Sequence, residues 1–272
     1  FLKSLNIRHL LSRDVLRDDT LCSVLTLERN ADQEPFSARE RELLELITPH
    51  MEQASIFNAL NFDVPLYTYS GPNSGPGYDV HPDNLATVSE PLGMLLCPSD
   101  SGRKVDELYG PTNYMSCWGS GMPPWTVHSA SETDGVFYAN SATRFGDILD
   151  GTSNTFAVGE RNFTCSAGAW VGTRNSNGGG NQGNRYVLGR VSIRPNAFWN
   201  TNCYEGFSSY HPGGTQFVMC DGAVKWISEN IDYGGLGGAF TQGDPRNGYN
   251  KGTIRLYQRL GIRDDGNTVG GF

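Results

Sequence analysis

Residues 207–231, FSSYHPGGTQFVMCDGAVKWISENI, carry the clearest alternation of apolar and polar positions in the chain. Two short apolar runs, Thr215–Cys220 and Ala223–Ile227, flank Asp221-Gly222. A period of two sends successive side chains to opposite faces of a strand. Asp-Gly between two such runs predicts a hairpin whose type I′ turn has φ > 0 at both central residues. On the second strand, Val224, Trp226 and Ser228 share one face, and Ala223, Lys225 and Ile227 the other. Ahead of the first strand, His211-Pro212-Gly213-Gly214 reads as a rigid turn followed by two permissive residues. His211 and Asp221 therefore bracket one strand and are expected at its opposite ends, with separate jobs. Asp221 is expected to cap the turn. His211 is expected to anchor the entering loop through the 150–154 turn or Glu160.

Helical periodicity is strongest further upstream. Ser37-Ala38-Arg39-Glu40 reads as a capping box, and Leu43, Leu44, Ile47, Met51 and Ala54 lie beyond it on one face. This predicts a helix over 38–60, kinked or reset at Pro49. From 61 to 93 the chain is punctuated by Pro and Gly and reads as one long loop carrying Tyr67, Tyr69 and Tyr78. Met94–Cys97 is a short apolar run stopped by Pro98. Asp150-Gly151-Thr152-Ser153-Asn154 is a turn rich in side-chain acceptors and feeds a β-run, Thr155–Gly159, that ends at Glu160. Residues 172–185, GTRNSNGGGNQGNR, are low-complexity. The last twenty residues read as a polar tail with one apolar run and a fraying end.

One apolar helical stripe and several half-apolar strands imply an α+β fold, a helix laid on an antiparallel sheet that includes 155–159, 215–220 and 223–227. Length supports this, since 272 residues can bury a sizeable core. The 34 glycines and 11% aromatic residues indicate a loop-rich, β-rich globular chain. A net charge of −8 argues against a nucleic-acid partner, which calls for a basic stripe. No apolar run is long enough for a membrane span, and no signal peptide is recognisable.

Several blocks in this order carry a family resemblance: MEQASIFNALNF (51–62), LLCPSD (95–100), Asn113-Tyr114, DGVF (134–137), FGDILDGTSNTFAVGE (145–160), and His211 followed after nine residues by Asp221-Gly222. Together they resemble a mostly planctomycete family of prepilin-like proteins of unknown function, bearing an H-X9-DG motif. The resemblance spans roughly residues 47–235. It implies a pilin- or pseudopilin-like head with long Gly/Asn-rich loops, a non-enzymatic role at the cell surface or in secretion, and other pilin-like subunits or secretion machinery as partners. The motif residues His211, Asp221, Gly222, Asp150, Gly151, Asn154 and Glu160 take structural roles in that reading. Members of the family begin with a pilin-type leader and a long apolar helix, whereas residues 1–50 read as charged and amphipathic. Residues 1–54, ending in PFSARERELLELITPHMEQA, resemble instead the tail of a GAF-type sensor domain, without its pocket strands or a DNA-binding module. The organisation expected is a leading segment 1–36, a pseudopilin-like domain 37–235 and a Gly-rich extension 236–272.

The remaining chemistry leaves other functions open. Six cysteines show no C-x-x-C and no histidine at zinc-site spacing, so a structural zinc is not expected. In an exported chain (periplasmic, cell-surface or extracellular) the expected disulfides are Cys97–Cys117 and Cys165–Cys203, with Cys22 and Cys220 free. In a cytoplasmic chain all six stay reduced. Asp150, Glu160 and Asp221 are hard oxygen donors and weak calcium candidates, and no other cofactor is implied. Trp118 and Trp125 are candidate stacking residues for a glycan- or ligand-binding module. No nucleophile elbow, zincin or phosphate-loop motif supports the second alternative, an uncharacterised hydrolase.

Overall fold

The computed structural model describes residues 54–64, 67–70, 77–101, 110–121, 133–138, 141–165, 168–170, 186–198, 203–234, 254–267 and 269. The fold is α+β with β-structure dominant. Its centre is a five-stranded sheet in the order β7-β4-β5-β8-β9. The strands are β4 (Tyr114–Gly119), β5 (Phe156–Glu160), β7 (Leu188–Arg190), β8 (Gly214–Met219) and β9 (Val224–Ser228). All neighbours run antiparallel except β4 and β7, which are parallel. Two smaller antiparallel pairs stand beside it: β1 (Tyr67–Ser70) with β2 (Gly77–Val80), and β3 (Pro111–Thr112) with β6 (Gly168–Ala169).

Register decides what each face of the large sheet carries, because directly paired residues point to the same side. Met115 pairs with Gly159, Gly159 with Phe217, and Phe156 with Met219. These positions, with Cys117 and Ile227, form the inner face. Phe207, Val191, Tyr257 and Leu260 close over it. Phe156 stacks on Phe217 with ring centroids 4.0 Å apart, and Phe207 meets Phe217 edge-on at 4.8 Å. The opposite face carries Tyr114, Glu160, Val158, Val218, Gln216, Val224 and Trp226. At its β9 edge it is open: Val224 is 51% exposed and Trp226 48%.

Gly159 sits where this core is tightest. A Cβ there would lie 2.5 Å from both Phe207 and Phe217, rings that are themselves buried and wedged together. Gly159→Ala is therefore expected to cost about 1–3 kcal/mol, the range for overpacking a filled core. Urea denaturation measures it, and an unchanged midpoint would mean that the two rings can move apart.

The hairpin forms where the alternation places it, but its turn differs from the expected type I′. Met219 N–H donates to Ala223 O at 2.8 Å and Gly222 N–H to Met219 O at 2.9 Å, so the loop has three residues, Cys220, Asp221 and Gly222. Among these, only Gly222 has positive φ (89°). This is a type I turn closed by a glycine bulge; Asp221 stays in ordinary backbone space, and its Oδ1 accepts from Ala223 N–H at 2.9 Å.

Two other segments depart from their expected form. The loop read over 61–93 contains the β1/β2 pair and a helix, Pro82–Val88. Pro82 opens that helix, His81 Nδ1 accepts from Asp83 N–H at 3.3 Å, and Val88 packs with Ile56, Leu92, Leu95 and Trp170. The tail read as polar holds a helix, Leu256–Gly261, that buries Tyr257 and Leu260 completely; its last residues, where fraying is expected, lie outside the described residues apart from 269. Asp150 clamps the chain just beyond this helix, its carboxylate accepting from Asp265 and Gly266 N–H, both at 2.8 Å. Of the helix expected over 38–60, Ala54–Ala59 is described and the rest lies outside the described residues. No helix among the described residues is long and apolar enough to cross a membrane.

Candidate functional site

The outer face of the sheet floors a cleft of about 250 Å³, lined by Tyr114, Val158, Glu160, Gln216, Val218 and Val224, with Cys97, Pro98 and His211 as one wall. Glu160 reaches it because of a bulge. Phe156 pairs with Met219 but Val158 with Val218, so Ala157 is an extra residue in β5. Without that insertion Glu160 would share the inner face with Phe156; with it, the carboxylate turns outward, as bulges re-aim side chains elsewhere. Its Oε2 accepts from Gln216 N–H at 2.8 Å and Thr215 Oγ1 at 3.3 Å, which fixes the group against β8.

Cys97 is held from the other side of the cleft by Asn113. Asn113 Oδ1 accepts from Cys97 N–H at 2.7 Å, while its amide donates to Asp100 Oδ2 at 2.7 Å and to Arg161 O at 3.0 Å. Asp100 also receives Phe163 N–H at 2.8 Å. LLCPSD and Asn113-Tyr114 thus form one braced unit. His211 enters on a loop tied by its own N–H to Ser209 Oγ at 3.1 Å, and Ser209 Oγ donates to Gly214 O at 2.8 Å. Its ring stands edge-on to Trp226.

These three side chains meet. His211 Nε2 is 3.5 Å from Cys97 Sγ and 3.6 Å from Glu160 Oε1. The three candidate ligand atoms all lie within 4.8 Å of one another, the only such group of three found among the described residues. Burial pushes the Cys97 thiol up from its ordinary value, and the Glu160 charge adds to this. Backbone N–H groups of Ser99 and Asp100 act the other way.

The other candidates are dispersed. Asp221 lies at the hairpin tip, at the far end of β8 from His211, and Asp150 spends both carboxylate oxygens on 265–266. Asp150, Glu160 and Asp221 therefore do not converge on a calcium site. Gly151 takes φ 94°, and Asn154 Nδ2 donates to Asp150 O at 3.1 Å, which braces the 150–154 turn. Trp118 is fully buried beside Val187 and Leu188 and offers no face to a ligand; Trp125 lies outside the described residues.

The Cys97–Cys117 pairing is overturned. Cys117 points into the inner core and Cys97 lines the cleft on the other face, so the sheet stands between them, and both are free. Cys165 and Cys203 are bonded, with Cα atoms 5.2 Å apart, inside the range of roughly 4.4–6.8 Å that a disulfide needs. Cys220 is free and buried, and Cys22 lies outside the described residues.

Glu160 and His211 are marked in the sequence by their motifs, whereas Cys97 reads there as half of a disulfide. The buried Arg161, Arg190 and Glu205 carry no sequence mark at all. Arg161 donates to Gly206 O and Leu188 O, each at 2.8 Å, and Arg190 pairs with Glu205. Comparison with curated proteins gives no significant match, and neither does comparison with solved structures. A family model matches residues 28–234, more than half of the chain, and the chain belongs to that family, described as "Protein of unknown function (DUF1559)".

Proposed function

We propose that the chain is the head of a pilin- or pseudopilin-like subunit, a non-enzymatic protein working at the cell surface or in a secretion assembly. Its partners in this reading are other pilin-like subunits or secretion machinery. The observation that carries the non-enzymatic part is how the trio meets. In a nucleophile–histidine–carboxylate relay, the histidine takes a proton at one ring nitrogen and is oriented through the other. Here sulfur and carboxylate both approach Nε2, so no relay runs through the ring. The Cys165–Cys203 bond supports a periplasmic, cell-surface or extracellular location, since such bonds persist in oxidising compartments.

A second reading, a ligand-binding module, is favoured by the cleft itself, with its apolar floor and polar end. Trp226, half-exposed beside His211, replaces Trp118 as the aromatic for it. Immunogold labelling of cells expressing the epitope-tagged full gene product tests the first reading. Label on the envelope or on fibres is expected; label confined to the cytoplasm would end it.

A further inference from the structure

We infer that Cys97, Glu160 and His211 form a binding site for a borderline transition-metal dication of the zinc(II) class, with a coordination position open to the cleft. The inference stands apart from the surface role proposed above. Three donors of three kinds arrive from segments far apart in the chain, and each is oriented by a separate brace. Asn113 holds the backbone of Cys97, β8 holds Glu160 through Oε2, and Ser209 holds the loop of His211. Outer partners of this kind fix ligand orientation in metal sites. Glu160 Oε1, the oxygen nearer His211, accepts no hydrogen bond from β8 and is the one turned toward the other two donors.

The two separations that meet at His211 Nε2 fit a common centre, and the third, Cys97 Sγ to the Glu160 carboxylate, lies within 4.8 Å. With zinc–sulfur near 2.3 Å and zinc–nitrogen or zinc–oxygen near 2.0–2.1 Å, sulfur and nitrogen on one tetrahedral ion stand roughly 3.5–3.6 Å apart and nitrogen and oxygen roughly 3.3–3.4 Å, so the carboxylate need close in by only a few tenths of an ångström. Nε2 lies 3.5 Å from Sγ and 3.6 Å from Oε1. Convergence on one nitrogen, which breaks a proton relay, is what a shared ion requires.

Donor type selects the ion. Sulfur and imidazole suit zinc and its d-block neighbours, whereas calcium and magnesium take all-oxygen shells. Thiolate and carboxylate would also balance the dication's two charges, which matters at a site where Cys97 and Glu160 are buried. Three protein ligands leave a fourth position, and the cleft of about 250 Å³ lies beside it; an open position of that kind holds water or a ligand. The absence of C-x-x-C spacing does not bear on such a site, because folding rather than local sequence assembles it.

The test uses the tag-free full chain with its Cys165–Cys203 bond intact, stripped with chelator and handled anaerobically without thiol reductant, and zinc and cobalt(II) alone as probes. After dialysis against zinc, one equivalent is expected by mass spectrometry. Cobalt(II) in its place should give a thiolate-to-metal charge-transfer band, which Cys97→Ser abolishes. Glu160→Gln and His211→Ala should each weaken cobalt binding by about tenfold or more, since even outer-shell changes cost 10–100-fold. Circular dichroism confirms that each variant is folded; if His211→Ala is not, the Cys97→Ser spectrum decides. Folded wild-type protein that binds no cobalt, a complex without the sulfur band, or equal affinity in all folded variants would each overturn the site.

Discussion

Glu205→Ala is expected to destabilise the protein by about 3–5 kcal/mol, the usual loss when one partner of a buried ion pair is removed. Glu205 is 1% exposed and pairs with Arg190, which is 3% exposed, and Arg161 lies fully buried close by. Arg190 ends β7 and Glu205 ends the 203–205 turn, and both side chains are buried. Removing the carboxylate leaves the Arg190 guanidinium buried without its counter-charge. A double change, Glu205→Ala with Arg190→Met, should recover much of the loss, because the desolvation penalty goes with the charges. Urea denaturation of the three proteins measures this. A single variant within about 1 kcal/mol of wild type would mean that water reaches the pair.

Removing the Cys165–Cys203 bond should cost about 3–4 kcal/mol, from loop-closure entropy over a separation of 38 residues. Cys165→Ser with Cys203→Ser, compared with wild type with and without reductant, isolates the effect. The wild-type melting temperature should fall on reduction and that of the double variant should not. A wild-type melting temperature indifferent to reductant, with no 165–203 linked peptide by mass spectrometry, would remove the bond and its support for export.

Local patterns are the legible part of this sequence. The β8/β9 hairpin comes from strict alternation, and Ile227 is buried while Val224 and Trp226 face outward, as that period requires. The turn type is less legible, because Asp-Gly serves both a type I′ turn and a type I turn with a bulge; Gly222 takes positive φ in either. The helix Pro82–Val88 is too short to show a period, and Leu85 and Val88 are its only large apolar residues. The helix Leu256–Gly261 reads as tail because its stability comes from docking on Val191 and the sheet, not from propensity. Arg161, Arg190 and Glu205 are not legible at all, since burial of a pair is invisible without the partner.

The cleft is half legible for the same reason. Glu160 and His211 stand out as motif residues, but the bulge at Ala157 that turns Glu160 outward leaves no mark on the sequence. Cys97 can be weighed only against other cysteines until the fold places it on the opposite face of the sheet from Cys117. The blocks LLCPSD, Asn113-Tyr114, VGE and His211 prove to be parts of one assembly, joined through Asn113, β5 and β8.

Anomalous diffraction at the zinc edge, from crystals of the full chain grown with zinc, tests that convergence most directly. A peak is expected about 2.3 Å from Cys97 Sγ and about 2.0–2.1 Å from His211 Nε2 and a Glu160 oxygen. A well-diffracting crystal with no anomalous density between these three side chains, or with Cys97 turned away from His211, would contradict it.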